Sequence, residues 1–248
     1  MKTARIRKFV RDVKPEWLDC LAPDDPRAVA SRRDLRRINW LMATRLAMSQ
    51  SLNQVLLGSG PVNLVELGAG DGRMMLPIAR RHARHWPKVS LDLVDLQPVV
   101  SEKTLRDYKA IGWNTRVVRA DVFDWLAESD SNKASAVIIA NLFMHHFEGR
   151  RLRELIDGIA ARSQAFICCE PRRTRLALLF SQLLGAIGCN DVTRHDAVAS
   201  VHAGFRNHEL TQLWPKTKSW RLQEGSSGLF VHRFQASRDS ASRRDLDR

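Results

Sequence analysis

The sequence predicts a doubly wound α/β fold, with a mostly parallel seven-stranded sheet that ends in an antiparallel last strand. A helical N-terminal extension and cap helices are expected around it. Three observations support this. Strand-like and helix-like segments alternate from about position 62 onward, which implies parallel strands with helices on both faces. A glycine-rich turn, Gly68-Ala69-Gly70-Asp71-Gly72, falls where the first strand meets the first helix. The last part of the chain carries two strand-like runs separated by Glu-Gly-Ser-Ser-Gly, a hairpin pattern that would complete the sheet.

Residues 1–60 precede the alternation. Ser31-Arg-Arg-Asp34 has the form of a helix N-cap with an acid three residues on. Leu35, Ile38, Met42, Leu46 and Leu56 then recur at near-helical spacing. Strands are expected at Val62–Leu67, Ser90–Asp95, Thr115–Ala120, Ala136–Ala140 and Ala165–Glu170. Helices are expected at Met74–His85, Pro98–Ala110 and Arg150–Arg162. An insertion at about 172–215 interrupts the pattern. In it Leu176, Leu179, Phe180, Leu183, Leu184 and Ile187 follow i, i+3, i+4, i+7 spacing and predict a cap helix over Arg175–Ile187. The hairpin strands are Trp220–Gln223 and Leu229–Gln235. The polar stretch 237–248 is expected to be a disordered tail, leaving 61–236 as the main domain.

Composition narrows the function classes. A chain of 248 residues with 44% hydrophobic residues can bury one large core. No run approaches the roughly 18 apolar residues of a membrane span, and the basic N-terminus lacks the apolar core of a secretory signal. The four cysteines, Cys20, Cys168, Cys169 and Cys189, form no Cys-x-x-Cys pair and fit reduced thiols in a cytoplasmic protein. The net charge of +13 fits best a solvated arginine-rich surface, with nucleic acid, an anionic membrane or an acidic substrate as the alternatives.

The turn after the first strand determines the class. Its spacing is Gly-x-Gly-x-Gly, with Arg73 where a dinucleotide fingerprint would need a further glycine. Glu66, two residues before the first glycine, would repel a pyrophosphate and attract an ammonium group. Asp95 closes the second strand, where a carboxylate can take both ribose hydroxyls, and Asp121 follows the third. Each acid alone could be a helix cap or a solvated loop residue. Together at the carboxyl ends of three strands they point to a ligand. Val65–Gly72 resembles the S-adenosylmethionine (SAM) motif of class I methyltransferases, which have a Rossmann-like sheet. The resemblance implies SAM as cofactor, with contacts from Glu66, Gly68, Ala69, Gly70, Gly72, Asp95, Leu96, Asp121, Val122 and Asn141. It places Asp121 at the adenine amino group.

Ala140–Phe147 is similar to the segment after strand four in quinone C-methyltransferases and phenolic O-methyltransferases. His145-His146-Phe147 resembles the His-Asp-Trp segment of the latter, with His146 in place of Asp. That likeness implies His145 as general base, and its alternative role is to orient a helix or shape the pocket. Glu170 and His195 are further catalytic candidates. The expected acceptor is a hydrophobic phenolic, quinone-like or polyketide-like small molecule, methylated on oxygen or carbon. Asn141-Leu142-Phe143-Met144 lacks the Pro-Pro core of enzymes that methylate exocyclic base amines. RNA methylation by another route and a non-catalytic SAM-fold partner protein are the alternatives. The cap helix has three readings: packing on the sheet, lining an acceptor pocket with Phe143, Met144 and Phe205, or resting on a membrane surface. A homodimer is compatible with the sequence. No catalytic metal is expected, on the argument that the neighbouring side chains of His145 and His146 diverge. His195 and Asp196 are read either as lining the acceptor pocket or as forming a surface ion pair with Arg194.

Overall fold

The computed structural model describes residues 9–57, 59–128, 136–217 and 219–238. Its centre is a seven-stranded sheet of order β3-β2-β1-β4-β5-β7-β6. The strands are β1 (Val62–Leu67), β2 (Val89–Asp95), β3 (Asn114–Arg119), β4 (Ala136–Asn141), β5 (Ser163–Pro171), β6 (Trp220–Ser227) and β7 (Val231–Arg238). The first five are parallel, and β7 is inserted antiparallel between β5 and β6. The sheet and its antiparallel closure agree with the expectation. Strands β4 and β5 are buried over nearly their whole lengths, which explains their continuous apolar runs.

Helices cover both faces. α3 (Thr44–Leu56), α4 (Leu76–His82) and α5 (Glu102–Ala110) pack on one core, which includes Met48, Leu52, Leu64, Leu91 and Ile167. α6 (Val122–Ala127), α7 (Gly149–Arg162) and α10 (Glu209–Leu213) pack on the other, around Trp125, Ile138, Phe166 and Trp214. Strands β1, β2 and β3 build outward on one side, and the chain then returns to place β4 on the other side of β1. The crevice between β1 and β4 is therefore the topological switch point, where ligands of such sheets bind.

The extension differs from its expected form. α1 (Trp17–Cys20) and α2 (Pro26–Leu41) precede α3. Asp25, not Ser31, caps α2, by accepting from the N–H of Arg27. Ser31 and Asp34 lie inside α2 and are buried, because they face the insertion. Asp34 accepts the N–H of Asn190 at 2.9 Å, and the Thr193 hydroxyl bonds both Ser31 and Asp34. The long apolar repeat is broken at Ala43, which adopts φ 56° between α2 and α3.

The insertion holds α8 (Arg175–Gln182), a 3-10 turn over Leu183–Ile187 and α9 (Asp191–Ala203). α8 is shorter than expected, and it does not bury its apolar face. Only Ala177 and Ser181 are buried, whereas Leu176, Leu179, Phe180, Leu183 and Ile187 are exposed. Met144 and Phe205, expected in an acceptor pocket, are core residues. The hairpin turn lies at Gly228–Phe230, later than expected, because Glu224 is needed in β6. It bonds His232 across the pair and the N–H groups of Leu210 and Thr211. Ser237 and Arg238, assigned to a tail, belong to β7. The rest of that tail lies outside the described residues. Among the described residues no helix is long and apolar enough to cross a membrane.

Removing the Asp34 carboxylate leaves the part-buried N–H of Asn190 without its acceptor, at a cost of about 1–3 kcal/mol, while the Thr193 hydroxyl keeps Ser31. Asp34→Ala is therefore expected to lower the urea midpoint with little change in slope. An unchanged midpoint would show that the α2–α9 contact contributes nothing.

Candidate active site

The loop after β1 must turn sharply from strand to helix. Gly68, Gly70 and Gly72 have φ of 67°, 53° and 66°, a region that side chains rarely adopt. The glycines differ in their surroundings. A Cβ on Gly68 would overlap the Phe143 ring, and one on Gly72 would meet Leu93 at 2.8 Å. A Cβ on Gly70 would meet nothing within 4 Å, so the loop has open space on that side. The Asp95 carboxylate holds the loop. It accepts the N–H of Gly70 at 2.8 Å and that of Gln97 at 2.7 Å, and each oxygen keeps a lone pair for another donor. Tyr108 donates its hydroxyl to the Gly72 carbonyl at 2.8 Å.

Glu66 is 2% exposed, and its Oε2 has no hydrogen-bond partner. Burial, with the nearby charges of Asp71 and Asp95, pushes its pKa up to about 8. On the neighbouring strand β4, the Oδ1 of Asn141 is likewise buried without a partner, and the amide only reaches Asn39 at 3.4 Å. Two unpaired buried acceptors at adjacent strand ends create a demand for a donor, best met by a cation.

The extension contributes groups that sequence reasoning missed. Arg36 on α2 pairs with Asp71 of the glycine loop at 2.8 Å. The guanidinium of Arg45, with a buried Nε that lacks a partner, is held below its usual pKa by burial and by Arg36. A cleft of about 360 Å³ lies between Cys20–Pro23 and the far ends of β2 and β3, lined also by Gln97, Pro98 and Arg119. Asp121 caps α6 by accepting the N–H of Phe123 at 2.7 Å, with Val122 beginning that helix. Leu96 is exposed beside the same crevice end, and Ala69 is buried in the loop.

His145 and His146 lie on a 3-10 turn (Met144–His146) after β4. The Glu170 carboxylate organises this turn. It accepts the N–H groups of Phe143, Met144 and His145, and it lies 2.7 Å from His145 Nδ1. The other ring nitrogen, Nε2, lies 3.2 Å from Glu16 of the extension. Burial alone would lower the His145 pKa, but hydrogen bonds to Glu16 and Glu170 outweigh it and raise the pKa to about 9. The same bond, against the effect of burial, holds Glu16 down at about 2. Both ring nitrogens of His145 are engaged by carboxylates, Nδ1 by Glu170 and Nε2 by Glu16, so neither is free in this geometry to take a substrate proton, unlike the expectation of His145 as general base. Glu170, saturated by four donors, is a positioning group. His195 stacks on Trp17 at 3.9 Å and bonds Asp196 at 2.9 Å. Asp196 itself accepts the N–H groups of Trp17 and Leu18, so the expected Arg194–Asp196 surface pairing is replaced by a cap on α1. His145 and His146 do not diverge. Their ring centroids are 4.4 Å apart, because a 3-10 turn rotates side chains by much less than a strand does.

Residues 64–163 match the methyltransferase domain family. No curated protein is a significant match to the chain. Among solved structures, the plantazolicin methyltransferase BpumL in complex with SAH superposes with a TM-score of 0.61, at 14% identity over 87% of this chain and 92% of that one. A possible exported protein from Bordetella parapertussis gives 0.55, at 14% identity over 80% of this chain and 68% of that one. A small RNA methyltransferase gives 0.51, at 14% identity over 81% of this chain and 26% of that one. Residues 64–163 thus carry a methyltransferase domain within a Rossmann-like fold shared with SAM-dependent methyltransferases, and SAM is the cofactor that this domain implies.

Gly68→Ala is expected to force the Phe143 ring aside in addition to its left-handed backbone cost of roughly 1–2 kcal/mol. Its melting temperature should therefore fall further than that of Gly70→Ala, which has the same strain and no clash. Equal losses would contradict the packing of Phe143 on the loop.

Proposed function

We propose that this protein transfers the methyl group of SAM to an oxygen or carbon of a hydrophobic small molecule of phenolic, quinone-like or polyketide-like chemistry. The observation that carries the acceptor class is the exposed apolar ridge of Leu176, Leu179, Phe180, Leu183 and Ile187. It begins five residues after β5 ends, at the same carboxyl end of the sheet as the glycine loop. A ridge of this size at a ligand-binding edge fits a partner that is itself apolar.

The residues present fit SAM. Glu66 and Asn141 provide unpaired buried acceptors for its ammonium group, and Arg45 provides a cation for its carboxylate. Gly70 leaves space beside the loop. Asp95 retains lone pairs for ribose hydroxyls, and Leu96, Asp121 and Val122 border the adenine end. Bound SAM supplies a methyl group on an activated sulfonium, so the protein's task is chiefly to position the acceptor and exclude water. Phe143, between the glycine loop and His146, is the side chain placed to orient an aromatic acceptor. His145 positions the turn that carries Phe143.

The ammonium pairs with an ionised Glu66, whereas at pH 7 the free protein holds that carboxyl mostly protonated, its pKa being about 8. Cofactor binding should therefore release about one proton. Affinity for S-adenosylhomocysteine should tighten by up to about tenfold per pH unit below about pH 8. Calorimetry in buffers of different ionisation heat measures this release. Glu66→Gln should remove it, and Gly70→Val should abolish binding. No proton release by the unmodified protein would sink the assignment of Glu66.

The acceptor is tested by transfer of labelled methyl from SAM to phenols, quinols and polyketide-like enols, with total RNA as a parallel substrate. Labelling of the small molecules supports the proposal. Labelling of RNA alone, with a steep salt dependence, would replace it.

A further inference from the structure

We propose that Glu16, Asp19, His145 and His146 form a divalent-cation site for a first-row transition ion of the zinc type, which fastens the N-terminal extension to the carboxyl end of β4. Glu16, His145 and His146 each offer one ligand atom, and the three lie within 4.8 Å of one another. His145 Nε2 is 3.2 Å from Glu16 Oε1, and His146 Nδ1 is 3.3 Å from Asp19 Oδ2. Two ligands bound at about 2.1 Å to a tetrahedral ion stand roughly 3.4 Å apart. Each pair therefore already has the spacing of neighbouring ligands on an ion.

Local structure explains how distant residues reach this arrangement. Glu16 is the N-cap residue of α1, and Asp19 is three residues on, so both carboxylates face one side of a single turn. The α1 N–H groups of Trp17 and Leu18 are fixed by Asp196, and Ser200 bonds the Glu16 carboxylate. On the other side, Arg11 bonds the carbonyls of His145 and Phe147. Both halves are thus braced before any ion arrives.

The tautomer is also set. Glu170, fully buried, lies 2.7 Å from His145 Nδ1 and keeps a ring proton there, so an ion takes the place of the proton on Nε2, which is aimed at Glu16. A carboxylate behind an imidazole that faces other ligands is the usual outer support of a metal-bound histidine. Two carboxylates balance the charge of a divalent ion. Two imidazoles favour a transition ion over magnesium or calcium, which prefer an all-oxygen shell. The three grouped ligands, with Asp19 drawn in from its place beside His146, would close a tetrahedral shell, which gives the site a structural role. Entry is open through His146 and Asp19, which are partly exposed.

The test uses the full chain stripped with a chelator and then titrated with Zn2+ and Co2+. One ion per chain is expected, with micromolar or tighter affinity, and with the visible absorption of four-coordinate Co2+. His146→Ala and Asp19→Asn alter partly exposed side chains and should leave the fold intact while weakening binding by at least about tenfold. His208→Ala, at an exposed histidine elsewhere, should bind as the unmodified chain does. Zn2+ should slow hydrogen exchange over residues 14–22 in the unmodified chain and not in Asp19→Asn. The proposal is overturned if binding is weaker than micromolar, or if both ligand variants bind normally. It is also overturned if Zn2+ binds and leaves exchange over 14–22 unchanged. None of these readouts depends on the methyl acceptor.

Discussion

Glu66 lies at the end of a central strand, beneath a loop whose glycines bring the backbone close over it. Removing a carboxyl group from water without a full set of partners costs a few kcal/mol, and the protein reduces that cost by keeping the group largely protonated. Asn141 repeats the deficit on the adjacent strand. A fold selected for stability alone would fill this crevice with apolar side chains, as it does a few residues deeper at Leu64 and Ile139. The unpaired acceptors therefore mark the edge of the sheet where stability yields to binding, and the surrounding groups are arranged about them. Asp95 holds the loop open, Tyr108 anchors its far end, and Phe143 closes on Gly68.

The N-terminal extension is part of the same arrangement. Arg36 reaches the glycine loop through Asp71, Asn39 reaches Asn141, and Glu16 reaches the turn after β4. The α2 helix is held against α9 by buried hydrogen bonds from Ser31 and Asp34. Residues on both sides of the sheet domain in sequence thus meet over its carboxyl edge, and the crevice between β1 and β4 has a roof made from the extension.

Most of the sheet was legible because its physics is local. Buried parallel strands read as short continuous apolar runs, and a Gly-x-Gly-x-Gly turn after the first has few structural explanations. The parts that were misread depend on distant partners. Ser31 and Asp34 have the spacing of a helix start, yet they are interior residues whose hydrogen bonds go to Asn190 and Thr193 more than 150 residues away. The chain leaves the helical path at Ala43 without a glycine or proline to signal it. Glu16 and Asp19 carry no motif, so their meeting with His145 and His146 was invisible, and the two histidines, expected to diverge as neighbours, lie close together on a tight turn. The α8 pattern was amphipathic as read, but periodicity does not say whether an apolar face meets a core or solvent.

The account rests on recognition of an ammonium group by Glu66 and Asn141, and one comparison addresses it directly. Calorimetry at pH 7 would measure the affinity of the chain for S-adenosylhomocysteine and for its analogue lacking the amino group. The account predicts that the analogue binds at least about tenfold more weakly, as expected for the loss of a buried charge-assisted contact, and that Glu66→Ala erases most of the difference. Equal affinity for the two ligands in the unmodified protein would contradict it.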